Sequence, residues 1–176
     1  MLFTFSKPFQ KTMNSDPVKQ IDIDFDKLTA KDYIDSFSNQ DGNELELIAY
    51  GKLGFLQAKN LIAKAIGCIP EMLEEMSLED YREIEKETFA WFFASINQPK
   101  DVEMLDFSTM SVKTYLAIRS RNSIQETTIG TMAGAKTREM LISFMTKKKT
   151  DELEAMTIKD YLLLDIQCAS FFSTLG

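Results

Sequence analysis

The chain of 176 residues contains no histidine. This removes the commonest general base and metal ligand, and with it the Ser-His-Asp and Cys-His arrangements of nucleophilic catalysis. A phosphate loop is missing too, because the one Gly-Lys pair, Gly51-Lys52, is followed by Leu53 and lacks the earlier Walker glycine. With no recognisable catalytic constellation, the chain reads as a non-enzyme that needs no cofactor. Cysteine is sparse: Cys68 and Cys168 imply no disulfide or metal framework and fit a reduced, cytoplasmic setting. No stretch approaches the 18 or so apolar residues of a membrane span, and the start Met1-Leu2-Phe3-Thr4-Phe5-Ser6 lacks a basic region and a continued apolar run. Neither membrane insertion nor export is expected. Basic residues number 20 against 27 acidic ones, for a net charge of -7. They are scattered apart from Lys147-Lys148-Lys149, so nothing would follow a nucleic-acid backbone. That triplet is read as complementing the end of a helix near Thr146. Glycine and proline are few while 44% of residues are hydrophobic, which is enough to bury a core.

A helix start is present four times. Leu28-Thr29-Ala30-Lys31-Asp32-Tyr33 recurs in variant form as Met76 to Tyr81, Met110 to Tyr115 and Met156 to Tyr161. In each, Thr29, Ser77, Ser111 or Thr157 stands where an N-cap hydroxyl accepts from the amide three residues on. Asp32, Asp80 and Asp160 can reach back to close a capping box, and the flanking Leu or Met and Tyr have the spacing of a hydrophobic staple. The register extends further. Phe25 to Thr29 matches Phe107 to Ser111 at an interval of 82, and Leu73 to Ser77 matches Leu153 to Thr157 at 80, two residues being lost between Ser36 and Gly42. Asn43 to Glu46 and Ser123 to Glu126 are fifth and sixth capping-box candidates, Gly54 pairs with Gly134, and Trp91-Phe92 pairs with Phe171-Phe172.

The expected fold is mainly α, as two tandem repeated helical units with a small N-terminal β-hairpin. The first unit, with the hairpin, covers residues 1–98; the second, divergent unit covers 101–176, and the junction lies near Gln98-Pro99-Lys100-Asp101. Strands are expected over 2–9 and 18–25, separated by the turn cluster Met13 to Pro17. In the second, Ile21, Ile23 and Phe25 alternate with Asp22, Asp24 and Asp26. Helices follow at 30–37, 44–66 ended by Gly67, a turn from Pro70, and 78–96; the second unit repeats them at 112–119, 124–146, 151–155 and 158–174. Gly54 and Gly134 would sit inside the long helices, at about 1 kcal/mol each against Ala, for close helix approach. Leu78, Tyr81, Ile84, Phe89 and Phe92 fall near one face of the 78–96 helix, whereas Tyr161 to Ile166 is apolar nearly all round and needs cover on two sides.

Asp22, Asp24 and Asp26 imitate the first ligands of a calcium loop. Lys27 stands where Gly is required and Tyr33 where the bidentate Glu is required, so they read as a solvated strand face and no metal is expected. Around Phe89, Trp91, Phe92 and Phe93, helical spacing makes most of the cluster core. Positions 91, 92 and 93 point in three directions, so at least one should leave the core face and be open to a partner.

The run Ile21-Asp22-Ile23-Asp24-Phe25-Asp26-Lys27-Leu28-Thr29 through Tyr33 resembles bacteriophage tail assembly chaperones, in which a short strand of this kind enters a first helix. Gly67-Cys68-Ile69-Pro70 through Tyr81 is similar to the family's second landmark, a small loop and short acidic helix before a last helix. The resemblance covers residues 1–97. It implies a non-catalytic helical protein of the bacterial host's cytoplasm, absent from the finished virion. Such a protein binds and solubilises the tape measure protein and helps recruit tail tube subunits. The expected partner surface is Trp91, Phe92, Phe93, Leu162, Leu163, Leu164, Phe171 and Phe172, which would also drive homo-oligomerisation. The alternative is a helical adaptor or regulatory protein that binds one defined partner through the same faces.

Overall fold

The structure, a computed structural model, describes residues 1–36, 54–97, 104–119 and 135–173. It is mostly helical with a small two-stranded antiparallel sheet at the N-terminus. Strand β1 (Leu2–Phe9) pairs with β2 (Val18–Asp22), Phe3 lying opposite Ile21, with a register irregularity between Thr4 and Phe9. Phe3, Phe5, Phe9, Ile21 and Ile23 are buried, and Phe5 packs its ring 5.2 Å from Phe3 and 5.0 Å from Phe9. The second strand stops short of the expected Phe25. Asp24 accepts a hydrogen bond from the Asp26 amide at 3.1 Å and turns the chain into a 3-10 turn, Phe25–Lys27, with Phe25 still inward.

Helix α1 (Ala30–Ser36) begins at a closed capping box: the Thr29 amide and hydroxyl both donate to Asp32 Oδ2 at 3.0 Å. There follow α2 (Phe55–Ile66), a 3-10 turn (Pro70–Glu75), α3 (Leu78–Ile96), a 3-10 turn (Phe107–Thr109), α4 (Val112–Arg119), α5 (Ala135–Thr146), α6 (Thr150–Glu154) and α7 (Ile158–Ser173). Thr29, Ser77, Ser111 and Thr157 accept from the amides of Asp32, Asp80, Thr114 and Asp160, so all four expected hydroxyl caps are in place. One box is open. The Asp80 carboxylate turns away to accept the Ser6 amide at 3.0 and 3.1 Å and the Ser6 hydroxyl at 2.7 Å, which ties α3 to β1.

Gly54 is not inside a helix. It is the N-cap residue of α2, with extended backbone (φ -72°, ψ 157°), and its amide donates to Gln57 Oε1 at 2.7 Å. The penalty expected for a mid-helix glycine therefore does not arise. The expected starts at Asn43 to Glu46 and Ser123 to Glu126, together with Gly134 and the junction at 98–101, lie outside the described residues. The inner face of α3 also differs from the expected one. Asp80, Ile84, Thr88, Phe92 and Ser95 are buried, whereas Leu78 and Phe89 are exposed. Thr88 and Ser95 are tolerated inside because their hydroxyls donate back to the Ile84 and Trp91 carbonyls at 2.8 Å.

One hydrophobic core draws on both segments of the chain. Helix α7, apolar on nearly every side, packs against α5, α1 and α3, so the cover it requires comes from within the chain.

Candidate interaction surface

Helix α3 changes character along its length. Its ionisable residues end at Glu87, and Thr88 to Asn97 carries none. Phe92 faces the core, while Phe89, Ala90, Phe93 and Ala94, at the i, i+1, i+4, i+5 spacing of one helix face, are exposed; Phe93 is 66% exposed. The other expected partner-binding residues are divided between core and surface. Trp91 is half-buried, stacked on Phe25 with centroids 5.3 Å apart, its Nε1 donating to Asp26 Oδ1 at 2.9 Å. Leu162 and Leu164 are buried under α7's neighbours and Leu163 is half-buried. Phe171 stacks on Phe107 at 4.3 Å, and the Phe172 side chain lies outside what the structure describes.

Phe92, Leu162 and Leu164 are thus core residues and cannot offer an open surface, because the chain itself covers the helix faces that carry them. Among the expected partner residues whose side chains are described, Phe93 is the exposed one, and Phe89 is exposed beside it. Phe89 lies outside the core face that its helical spacing predicts; the signal for the outer face is the absence of charge over ten residues of a surface helix.

A second cluster is polar and buried. Arg138 on α5 donates from Nε to Asp165 Oδ1 at 2.6 Å and from Nη2 to Oδ2 at 3.0 Å, both residues being fully buried. Tyr33 of α1 donates its hydroxyl to the same Oδ2 at 2.9 Å, so α1, α5 and α7 meet at one carboxylate. Burial first, and the Asp165 charge second, push the Tyr33 and Tyr161 phenols well above the ordinary value. Burial alone would lower the Arg138 pKa, but the Asp165 charge outweighs it and the net shift is upward. The Cys168 thiol is also pushed up by burial and by Asp165, which makes it a poor nucleophile. A guanidinium held by two hydrogen bonds to one carboxylate positions helices; every group here is committed to its neighbours or held neutral.

Where the two chain segments meet, a cleft of about 220 Å³ is lined by Phe25, Leu28, Trp91 and Ile158, with Asp26 and Lys159 at its rim. It is smaller than the usual small-molecule pocket. The hydrogen bonds from Lys159 and then Trp91 hold the Asp26 carboxyl below the usual range. Asp24 is engaged by the turn and by Lys27, so the three strand aspartates do not converge. Among the described residues no group of three His, Cys, Asp or Glu could hold a metal ion, and no helix is long and apolar enough to cross a membrane. Comparison with protein-family models, curated proteins and solved structures finds no match.

Proposed function

We propose that this chain is a tail assembly chaperone of a phage or prophage. In this reading it is non-catalytic, binds and solubilises the tape measure protein, helps recruit tail tube subunits in the host cytoplasm, and forms a homo-oligomer. The observation that carries the reading is the uncharged outer face of α3, where Phe89 and Phe93 stand clear of the core. An exposed two-turn apolar face on a helix braced from behind suits the apolar stripe of a client helix. The segments that carry the resemblance, residues 21–33 and 67–81, are the hairpin's exit into α1 and the loop and 3-10 turn that lead into α3.

The two units are read as a duplication within one core. The starts of α1 and α3 at residues 30 and 78 are matched in order by those of α4 and α7 at 112 and 158, and α5, described from Ala135, lies where the register places a copy of α2. A register-related aromatic pair supports the same reading: Phe25 stacks on Trp91, and Phe107 on Phe171.

Co-expression with a tape measure fragment tests the function. The parent chain should keep the fragment in solution and co-purify with it. Phe93→Glu should lose both with no change in thermal melting, since an exposed position costs little to charge. A Phe93→Glu protein that holds the fragment as well as the parent moves the client to another face. A parent that never holds it leaves the adaptor reading.

A further inference from the structure

Two of the four helix starts are bound to each other. The Ala30 amide donates to the Met156 carbonyl at 2.8 Å, and the Ile158 amide donates back to the Leu28 carbonyl at 3.4 Å, forming an antiparallel bridge between Thr29 and Thr157. The ion pairs are reciprocal as well. Lys31 meets Glu154, two residues before Met156, at 3.6 Å, and Lys159 meets Asp26, two residues before Leu28, at 2.7 Å. Tyr33 and Tyr161 pack edge to face at 6.0 Å between them. Each start therefore offers the other the same donor, acceptor, cation and ring, in a local two-fold arrangement. The first residue of each helix, Ala30 or Ile158, is closed off, at 0% and 1% exposure.

The other two starts lack this cover. Leu78 and Val112 occupy the positions of Ala30 and Ile158 and are 71% and 73% exposed. Among the described residues, the Leu78 and Val112 amides and the Met76 and Met110 carbonyls have no hydrogen-bond partner. Ser6 reaches the Ser77 and Asp80 side chains and leaves Leu78 open.

We propose that these open starts pair between molecules: Met76–Tyr81 of one copy docks on Met110–Tyr115 of the next, in the geometry that joins Leu28–Tyr33 to Met156–Tyr161 within the chain. Charge selects this combination. In it Lys113, at the place of Lys31, faces Glu74, at the place of Glu154, while Glu79 faces the neutral Ser108. Pairing Met76–Tyr81 with its own copy would set Glu79 against Glu74 twice, and pairing Met110–Tyr115 with itself would leave Lys113 without an acid. Glu74 is exposed and its Oε1 already accepts from Lys59 of α2 at 2.7 Å, so Lys113 of the next copy would share a carboxylate that α2 holds in place. The contact is heterologous, and it closes as a ring or runs on as a filament.

The interface is independent of the client reading, and the full chain can be tested by sedimentation over a concentration series. The parent should self-associate. Leu78→Asp or Val112→Asp, at positions too exposed to disturb folding, should weaken assembly by about tenfold or more, the effect of removing one buried apolar side chain and adding a desolvated charge. Lys113→Glu and Glu74→Lys should each weaken it, and the double variant, which restores opposite charges, should recover assembly. Phe93→Glu should assemble as the parent does. A parent that stays monomeric, Asp variants that assemble normally, charge swaps without recovery, or loss of assembly in Phe93→Glu alone would each overturn the proposal.

Discussion

Ala58 on α2 and Arg138 on α5 occupy corresponding places in the sequence register, and both are fully buried. The first helix pair, α2 against α3, buries apolar residues such as Leu61, Ile62 and Ile84. The second, α5 against α7, keeps a guanidinium and a carboxylate at the equivalent depth. Glu85, at the same interval of 80 before Asp165, sits half-exposed on α3, where it needs no buried partner. The difference teaches what burying a charge requires: two hydrogen bonds from one guanidinium, a phenol as third donor, and neighbours that hold all three still. An apolar pair needs only volume, so many side chains satisfy it. The ionic pair accepts one geometry, and through Tyr33 that geometry includes α1 from the other end of the chain.

Breaking the ionic side of this comparison should have the largest effect. Arg138→Leu leaves Asp165 buried and unpaired and should cost about 3 to 5 kcal/mol in chemical denaturation. Adding Asp165→Leu should return most of that loss, since a buried pair replaced by apolar residues is often neutral. Equal destabilisation in the single and double variants would mean that the pair contributes more than mutual neutralisation.

A smaller effect concerns the phenols. The raised Tyr33 and Tyr161 pKa values mean that the folded chain keeps its phenol protons after the unfolded chain has lost them. Stability should be complete below the ordinary value of 10.0 and fall above it, by about 1.4 kcal/mol per pH unit for each phenol. Tyr33→Phe should make this alkaline decline shallower in melts from pH 9 upward, at a cost near neutrality of about 1.5 to 3 kcal/mol for the lost bond to a charged group.

The smallest effect lies at the C-terminal ends of α2 and α5. Gly67 closes α2 in the left-handed conformation at φ 73°, and Lys147 closes α5 at φ 57°. Glycine adopts that conformation without a Cβ penalty and lysine does not. Lys147→Gly should therefore stabilise the chain and Gly67→Ala destabilise it, each by about 1 kcal/mol, read as opposite shifts in melting temperature. A destabilised Lys147→Gly would show that the lysine side chain contributes more than its backbone strain costs.

Sequence alone determined the local chemistry of this protein. The hydroxyls of Thr29, Ser77, Ser111 and Thr157 cap helices because a cap needs only the amide three residues ahead, α3 begins and ends where the pattern places it, and α4 begins where the pattern places it. The alternation in Ile21, Ile23 and Phe25 likewise marked their burial, even though the strand ends early. Tertiary structure decided whatever depends on a distant partner. Phe92 is core and Phe93 surface because α7 and the first segment cover one side of α3, and no periodicity within an aromatic run says which side that is. Asp80 had a local role open to it and was taken by Ser6, 74 residues away. Asp165 is buried as an ion because Arg138 and Tyr33 arrive from helices 27 and 132 residues distant, and a carboxylate in an apolar run cannot announce partners that only packing brings to it.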